Sequence, residues 1–435
     1  MNSWAWIGLL GIVFFTVLPL VNQKNRSAVE IRKAIVTVGS VIGIIIAVSF
    51  FNVNYVVALL FGFLAMILLD RKTYTKKRLS IYGLLLLVAG ITAYAIFRDN
   101  PDYVLKHLKE NPQSSSLYLA ENRTPLITYQ SDIVRPLAST VKILIAVEYA
   151  MQVDTNIIQR NHTVSLDELN RYYLKNSDGG AHEAWLSTMK SEGKIKNHEV
   201  SLHDVAKGMI TYSSNANTDY LINKLGIDSI NARAAALGIS QHEDFYPIVS
   251  ALLIPGHIQK EDMDEKELVN KLEELSIDDY RSLSEQLSQD MKTGALNVND
   301  ITFDLSPDLQ RVWSDRLIGA SADDYGKLLA IISNDELPNV AAETIRDLLE
   351  WPMQLNKDNH KRFAHIGAKG GSTMFVLNNA MYAENLDGNQ YELVILNDDL
   401  NFIERLLLSN NLNSFESKVF SSKDYRMKVL KELSD

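Results

Sequence analysis

The sequence has 435 residues, which is enough for two or three domains. Its formal net charge of −10 argues against nucleic-acid binding, which needs basic surfaces, so no nucleic-acid partner is expected. Because there is no cysteine, the chain can form no disulfide and can carry neither a catalytic thiolate nor a cysteine-bound zinc ion.

Apolar residues are concentrated near the amino terminus. Four runs with few charges, at 4–21, 34–51, 55–69 and 81–97, hold 15 to 18 residues each. About 20 residues cross a bilayer as a helix. Four such runs without an amphipathic stripe favour membrane spans over buried core helices. Residues 1–98 are therefore predicted to be a membrane region with four transmembrane helices.

Basic residues between these runs predict the orientation of the spans. The loops after the first and third runs contain Lys24, Arg26, Arg32 and Lys33, and Arg71, Lys72, Lys76, Lys77 and Arg78. Short basic loops stay in the cytoplasm. We therefore expect a multi-pass protein of the cell membrane, with everything after about residue 98 on the outer side.

The rest of the chain has the composition of a soluble domain. A polar segment with Pro101 and Pro112 predicts a stalk over 99–115, and the domain itself is expected to occupy 116–435. Five strands are predicted, at 116–120, 125–129, 363–372, 374–384 and 391–397. The first two form a hairpin, helical patterns follow, and a last helix is expected at about 415–433. This order predicts an α+β fold, in which the last three strands could form one antiparallel sheet.

Three short motifs follow one another in this domain. Ser139-Thr140-Val141-Lys142 is S-x-x-K at the start of a helix, where one turn brings the hydroxyl and the amine to the same face. Ser213-Ser214-Asn215 is the second motif, and Lys369-Gly370-Gly371 precedes Ser372 on a predicted strand. A lysine can act as a base only when it is partly neutral, a state that burial and nearby cations favour.

Each motif alone is weak, because similar patterns occur elsewhere in the chain. These are Ser187-Thr188-Met189-Lys190, Ser409-Asn410-Asn411 and a literal K-T-G at Lys292-Thr293-Gly294. The first lies in a polar stretch that we interpret as surface, and the second follows every predicted strand. The third is not followed by the two further strands that the motif needs. Context therefore favours the motifs at Ser139, Ser213 and Lys369.

Over about 116–435 the sequence resembles the class A β-lactamase and penicillin-binding superfamily, whose motifs are S-x-x-K, S-D-N and K-T-G in this order. The stretches 135–139, 209–215 and 321–329 also resemble family segments. The resemblance implies a β-lactamase/transpeptidase-like domain with an antiparallel sheet and a helical subdomain. It also implies a serine hydrolase, without a cofactor, that is acylated by a cell-wall D-Ala-D-Ala-type peptide, an ester or a β-lactam.

The same resemblance implies a set of site residues. The catalytic ones are Ser139, Lys142, Ser213 and Lys369, and the substrate-binding ones are Asn215, Gly371 and Ser372. Ser139 would attack and Lys142 would take its proton, directly or in relay, while Ser213 would pass a proton to the leaving nitrogen. Asn215 would bind the acyl amide and Lys369 the substrate carboxylate. Backbone N–H groups of Ser139 and Ser372 would form the oxyanion hole.

The chain departs from the family pattern in four ways. Ser214 stands where the family has aspartate, and Gly370 stands where it has a hydroxyl residue. A charged helical insertion at about 261–289 lengthens the spacing between the second and third motifs. No E-x-x-L-N loop follows the second motif. Glu243 is a possible substitute for its glutamate, although a solvated loop acid is the favoured interpretation.

Two further interpretations concern metals and signalling. His198 and His203 miss the H-E-x-x-H spacing by one residue, so no metal site is expected. The segment 178–182 could line the site, but its two glycines more simply mark a turn.

The alternative to an enzyme is a β-lactam-sensing or cell-wall-fragment-sensing domain without efficient turnover. A scaffold whose motifs have drifted to inactivity is disfavoured, since five polar side chains of the motifs are retained.

Overall fold

The computed structural model describes residues 98–301 and 306–434. The four apolar runs predicted to span a membrane lie outside these residues. Within the described part of the chain, no helix has both the length and the apolar character that a membrane crossing needs. Residues Asn100–Asp435 form a compact unit by themselves.

The strands and helices alternate in blocks along this unit. The strands are β1 (Ser115–Glu121), β2 (Thr124–Tyr129), β3 (Val134–Pro136), β4 (Thr163–Ser165), β5 (Glu199–Ser201), β6 (Gly319–Ser321), β7 (Phe363–Ser372), β8 (Leu377–Asn385) and β9 (Gln390–Asn397). The helices are α1 (Pro101–Glu110), α2 (Lys142–Asp154), α3 (Leu166–Asn170), α4 (Ala181–Ser191), α5 (Leu202–Lys207), α6 (Asn215–Leu225), α7 (Ile227–Ala236), α8 (Ile248–Ile258), α9 (Glu265–Glu274), α10 (Ile277–Thr293), α11 (Pro307–Asp315), α12 (Ala322–Ser333), α13 (Asn339–Leu349), α14 (Trp351–Leu355), α15 (Phe402–Ser421) and α16 (Lys423–Ser434).

Five of these strands form one antiparallel sheet in the order β2-β1-β9-β8-β7. The predicted α+β layout, with its hairpin and its single sheet, is therefore confirmed. Successive residues of β8 point to opposite faces of the sheet. Ala380 and Tyr382 pack into the core formed with the central helices. Met381 and Ala383 pack against α1, α15 and α16. Helices thus cover both faces, and β7 is an edge strand.

The prediction of a polar stalk over 99–115 is wrong. Its first half forms α1, with Pro101 in the first turn, where a missing backbone N–H costs nothing. Val104, Leu105 and Leu108 are buried in the same core cluster as residues of α15. These apolar positions form one stripe along a short helix. Because charged residues lie between them in the sequence, the segment has a polar composition that does not indicate a buried face.

Three other boundaries differ from expectation. The strand expected at 374–384 begins at Leu377, because the Thr373 hydroxyl accepts the N–H groups of Phe375 and Val376 in a tight turn. The helix expected at 415–433 is two helices, α15 and α16, separated by Ser422 in extended conformation. Helix α15 also begins earlier, at a capping box formed by Asn401 and Glu404. The charged insertion is helical as expected and forms α9 and α10.

Candidate active site

Ser139 lies in a tight 3₁₀ turn between β3 and α2. The turn spans Ala138–Val141, and the Thr140 hydroxyl donates to the Leu137 carbonyl oxygen. Ala138 adopts φ +47°, a left-handed conformation that a residue with a side chain adopts only when its surroundings enforce it. Strand β3 pairs with β6, which fixes the start of the turn. The nucleophile candidate is thus held on a constrained segment at the start of a buried helix.

Lys142 is buried beneath this turn. Its Nζ lies 2.7 Å from the Ser213 carbonyl oxygen, 3.2 Å from Ser213 Oγ and 2.9 Å from Asn215 Oδ1. Burial, and next the positive charge of Lys369, hold the pKa of Lys142 well below its ordinary value. A neutral amine in this position can accept a proton from a hydroxyl one helical turn away.

Ser213 connects the two lysines of the site. It follows a π-helical turn, Gly208–Tyr212, and adopts φ +69°. Its Oγ lies 3.2 Å from Lys142 Nζ and 3.0 Å from Lys369 Nζ. The hydroxyl is therefore a continuous hydrogen-bonded link between two amines, as a proton relay requires.

Lys369 extends from β7 into the same space. Its Nζ also donates to the Gly370 carbonyl oxygen at 2.8 Å, and burial lowers its pKa to about 7. At Gly371, a Cβ would lie 2.6 Å from the Leu137 carbonyl oxygen and 2.7 Å from Ser139 N. Only glycine at this position allows β7 to approach the Ser139 turn so closely.

A cleft of about 850 Å³ joins these groups. Its lining includes Ser139, Ser213, Asn215, Lys369, Gly371 and Ser372, and Lys142 lies behind it. The structure therefore brings together all seven residues predicted from the motifs. Ser372 is exposed at the end of β7, so both predicted oxyanion donors belong to segments that border the cleft.

The segment 178–182 both lines the cleft and forms a turn, so the two interpretations of it are compatible. Asp178 accepts the backbone N–H groups of Gly180, Ala181 and His182, and also that of Asn215 at 3.3 Å. It thereby ties the loop before α4 to the second motif. His182 Nδ1 lies 2.9 Å from Ser214 Oγ, so the serine that replaces the family aspartate has a buried partner of its own.

Two of the look-alike motifs lie elsewhere, whereas Ser409 of the third lines the cleft from α15. Ser187 and Lys190 are exposed on α4, and Gly294 ends α10 as its left-handed cap. The Glu243 side chain is 42% exposed, pairs with Arg281 and accepts the N–H of Gly319. It is not among the residues that line the cleft.

Within the described residues, no group of three or more histidine, aspartate and glutamate side chains could hold a metal ion.

Several residues in or near the cleft lie outside the three motifs. Helix α15 contributes one face, with Arg405, Ser409 and Glu416 among its members. Buried Asp219 accepts the N–H groups of Ile248 and Val249, and burial raises its pKa to about 6. The helical spacing of the α15 residues in the sequence could have predicted that they share one face. That prediction would have required the correct first residue of the helix.

A sequence profile of the β-lactamase enzyme family matches residues 102–401 of this chain. The chain belongs to the β-lactamase enzyme family. This membership makes it a β-lactamase-like serine hydrolase and supports a serine acyl-enzyme mechanism on β-lactam-type substrates. A comparison with curated proteins gives no match.

A comparison with solved structures gives matches that include the following three. A β-lactamase from Chitinophaga pinensis is 12% identical, with a TM-score of 0.45, and the match covers 73% of this chain and 99% of that one. A mutant of PBP-A in an acyl-enzyme complex with penicillin G is 15% identical, with a TM-score of 0.44, over 74% and 97%. A class A β-lactamase representative from Bacteroides cellulosilyticus is 15% identical, with a TM-score of 0.42, over 73% and 99%.

Proposed function

We propose that this protein is a membrane-anchored, extracytoplasmic serine hydrolase that forms a Ser139 acyl-enzyme with D-Ala-D-Ala-type peptides or with related esters and β-lactams. The observation that carries the proposal is the hydrogen-bonded chain from Lys142 through Ser213 to Lys369, in the cleft that Ser139 lines. Such a chain supplies Lys142 as a base, Ser213 as a proton relay and Lys369 as a positive charge for a reaction at the Ser139 hydroxyl.

The acylation step follows from this arrangement. Neutral Lys142 takes the proton of the Ser139 hydroxyl as its oxygen attacks the substrate carbonyl, and the carbonyl oxygen becomes an oxyanion facing backbone N–H groups. The amine then returns a proton through Ser213 Oγ, which lies 3.2 Å from it. That proton goes to the leaving nitrogen as the C–N bond breaks. The products are an ester on Ser139 and a free amine.

Positive charge in the cleft suits a substrate that carries a carboxylate. Lys369 is one cation, and Arg405, from α15, is another that lines the cleft. Within the described residues, Arg405 Nε is buried and has no hydrogen-bond partner. Arg405 therefore adds positive charge to the wall of the cleft that α15 forms.

Hydrolysis of the acyl-enzyme needs a second base, and the carboxylates of the described cleft are poorly arranged for that role. Asp178 is occupied by four backbone N–H groups, and Glu416 is hydrogen-bonded on the opposite face of the sheet. We therefore propose slow release of the acyl group from β-lactams. The same feature favours the second candidate function, a β-lactam-binding or cell-wall-fragment-binding domain without efficient turnover.

The test is labelling of the full-length protein by a fluorescent penicillin. Ser139→Ala should abolish labelling while circular dichroism stays unchanged, because loss of one hydroxyl in a cleft leaves the packing intact. Ser187→Ala, in the look-alike motif on α4, is the matched control and should label like the native protein. Labelling that persists in Ser139→Ala, or disappears in Ser187→Ala, would overturn the assignment of the nucleophile.

Membrane anchoring is a separate part of the proposal. It rests on the four apolar runs within 1–98 and on their two basic loops. Protease added to intact protoplasts should remove the domain that contains Ser139. Protection of that domain until the cells are lysed would refute the outward orientation.

A further inference from the structure

The cleft continues around the free edge of β7 onto the second face of the sheet. Lys369 and Gly371 point toward the Ser139 turn, so Ala368 and Gly370 point the opposite way. Ala368 packs in the same cluster as residues of α15. We call this part of the cleft the rear lobe; its lining includes Asn379, Met381, Ser409, Leu412, Asn413 and Glu416.

One face of α15 forms the wall of the rear lobe. Its lining residues follow the three-residue and four-residue spacing of a helix face, from Arg405 through Ser409 and Leu412 to Glu416. Leu412 and Met381 supply apolar surface. Ser409 and Asn413 are exposed and supply polar atoms beside Glu416. The lobe therefore combines an apolar wall with one acidic end.

Glu416 is the unusual residue of this lobe. Its side chain is only 4% exposed and accepts one hydrogen bond, from Asn379 Nδ2 at 2.7 Å. Within the described residues it forms no ion pair, and burial raises its pKa to about 7. An ionised carboxylate can accept about four hydrogen bonds, and a buried charge is costly unless it is paired. Glu416 thus has unused acceptor capacity beside an open cleft.

Within the described residues, neither of the two cations that line the cleft is in a position to pair with Glu416. Arg405 is on the same helix but 11 positions earlier, about 16 Å along the axis at the usual rise per residue. Lys369 points to the opposite face of β7 and donates to Ser213. A counter-charge for Glu416 would therefore have to come from a bound molecule.

We propose that the rear lobe is a binding subsite for an alkyl group that ends in a primary ammonium, with Glu416 as its anionic partner. The ammonium donates one hydrogen bond to the carboxylate and others to the side-chain oxygens of Ser409 or Asn413. The alkyl stem lies against Leu412 and Met381. A charge-assisted hydrogen bond of this kind is roughly twice as strong as one between neutral groups.

Binding at this subsite should depend on pH. The charged and titratable groups that line the cleft are Glu416, Lys369, Arg405, Asp178 and Tyr246. Glu416 ionises and Lys369 loses its charge near pH 7, and both changes favour a cation at higher pH. For a pKa of about 7 the ionised fraction of Glu416 rises about tenfold between pH 6 and pH 8. Ionisation of Glu416 should therefore strengthen amine binding by up to about that factor.

The test uses n-hexylamine and, as a neutral probe of the same length, hexan-1-ol. Binding to the full-length Ser139→Ala protein is measured by saturation-transfer NMR, so that no acylation is involved and a failure of the Ser139 proposal cannot affect the result. The amine should bind about tenfold more tightly than the alcohol at pH 8. Glu416→Gln should reduce amine binding to the level of the alcohol, because glutamine can still accept from Asn379 but carries no charge.

The matched control is Glu432→Gln on α16, where the side chain is 40% exposed and only weakly paired with Lys428. This variant should bind the amine like its parent. Equal binding of amine and alcohol to the parent protein would overturn the proposal. So would amine binding that survives Glu416→Gln or is lost equally in Glu432→Gln.

Discussion

The two adjacent glycines of the third motif should respond very differently to the same substitution. In Gly371→Ala the added Cβ would meet the Leu137 carbonyl oxygen at 2.6 Å, Ser139 N at 2.7 Å and Thr140 N at 2.8 Å. These backbone atoms would have to move by about 0.6–0.8 Å to reach ordinary contact at 3.4 Å. Overpacking of this kind costs about 1–3 kcal/mol of unfolding free energy. A displacement approaching 1 Å at the reacting group costs roughly 10²-fold in rate.

Gly370→Ala is the matched control for this effect. Its Cβ would meet the Asn378 carbonyl oxygen at 3.6 Å and Asn379 Oδ1 at 3.7 Å, which are ordinary contacts. Acylation rates with a fluorescent penicillin, together with urea unfolding, measure both consequences. Gly371→Ala should acylate about 10²-fold more slowly, and Gly370→Ala within a few-fold of the native rate. Native-like acylation by Gly371→Ala, or an equal loss in both variants, would refute the close approach of β7 to Ser139.

Three other expectations follow from the same geometry. Acylation by a carboxylate-bearing penicillin should fall above about pH 7 as Lys369 loses its proton, and the lowered pKa of Lys142 extends the pH range in which its amine is neutral and can act as the base; Lys369→Arg stays charged and should remove the alkaline fall, and an unchanged fall would contradict this role. The protein should hydrolyse nitrocefin slowly under multiple-turnover conditions, since a missing base for hydrolysis of the acyl-enzyme costs roughly 10²–10⁴-fold; fast turnover that disappears in Glu243→Gln would reject this. Leu108→Ala, at a fully buried position of α1, should cost about 2–5 kcal/mol in urea unfolding, and exposed Lys106→Ala almost nothing; equal effects would mean that α1 does not pack on the domain.

Strands with strong local signals could be predicted from the sequence. The bounds of β7 at 363–372 agree with the structure, as does the β1–β2 hairpin, in which a polar turn joins two short strands. Helix α1 was missed because its three core residues occupy a single short stripe. The break at Ser422 was missed because the helical pattern continues on both sides of it.

The residues of the candidate site also differ in whether the sequence predicts them. Ser139, Ser213 and Lys369 belong to motifs with fixed internal spacing, so their proximity could be expected from the family resemblance. The rear lobe could not, because it depends on contacts between distant segments. Glu416 meets Asn379 only after α15 packs on the sheet. Asp178 contacts Asn215 across 37 positions of sequence, and no local pattern predicts that contact.

The central claim is that Ser139 is the nucleophile of this β-lactamase-family protein. Intact-mass analysis of the full-length protein after incubation with benzylpenicillin, followed by peptide mapping, tests it most directly. The account predicts one adduct per chain, with the mass of one whole penicillin, on the peptide that contains Ser139. The absence of an adduct in folded protein, or its attachment to another residue, would contradict it.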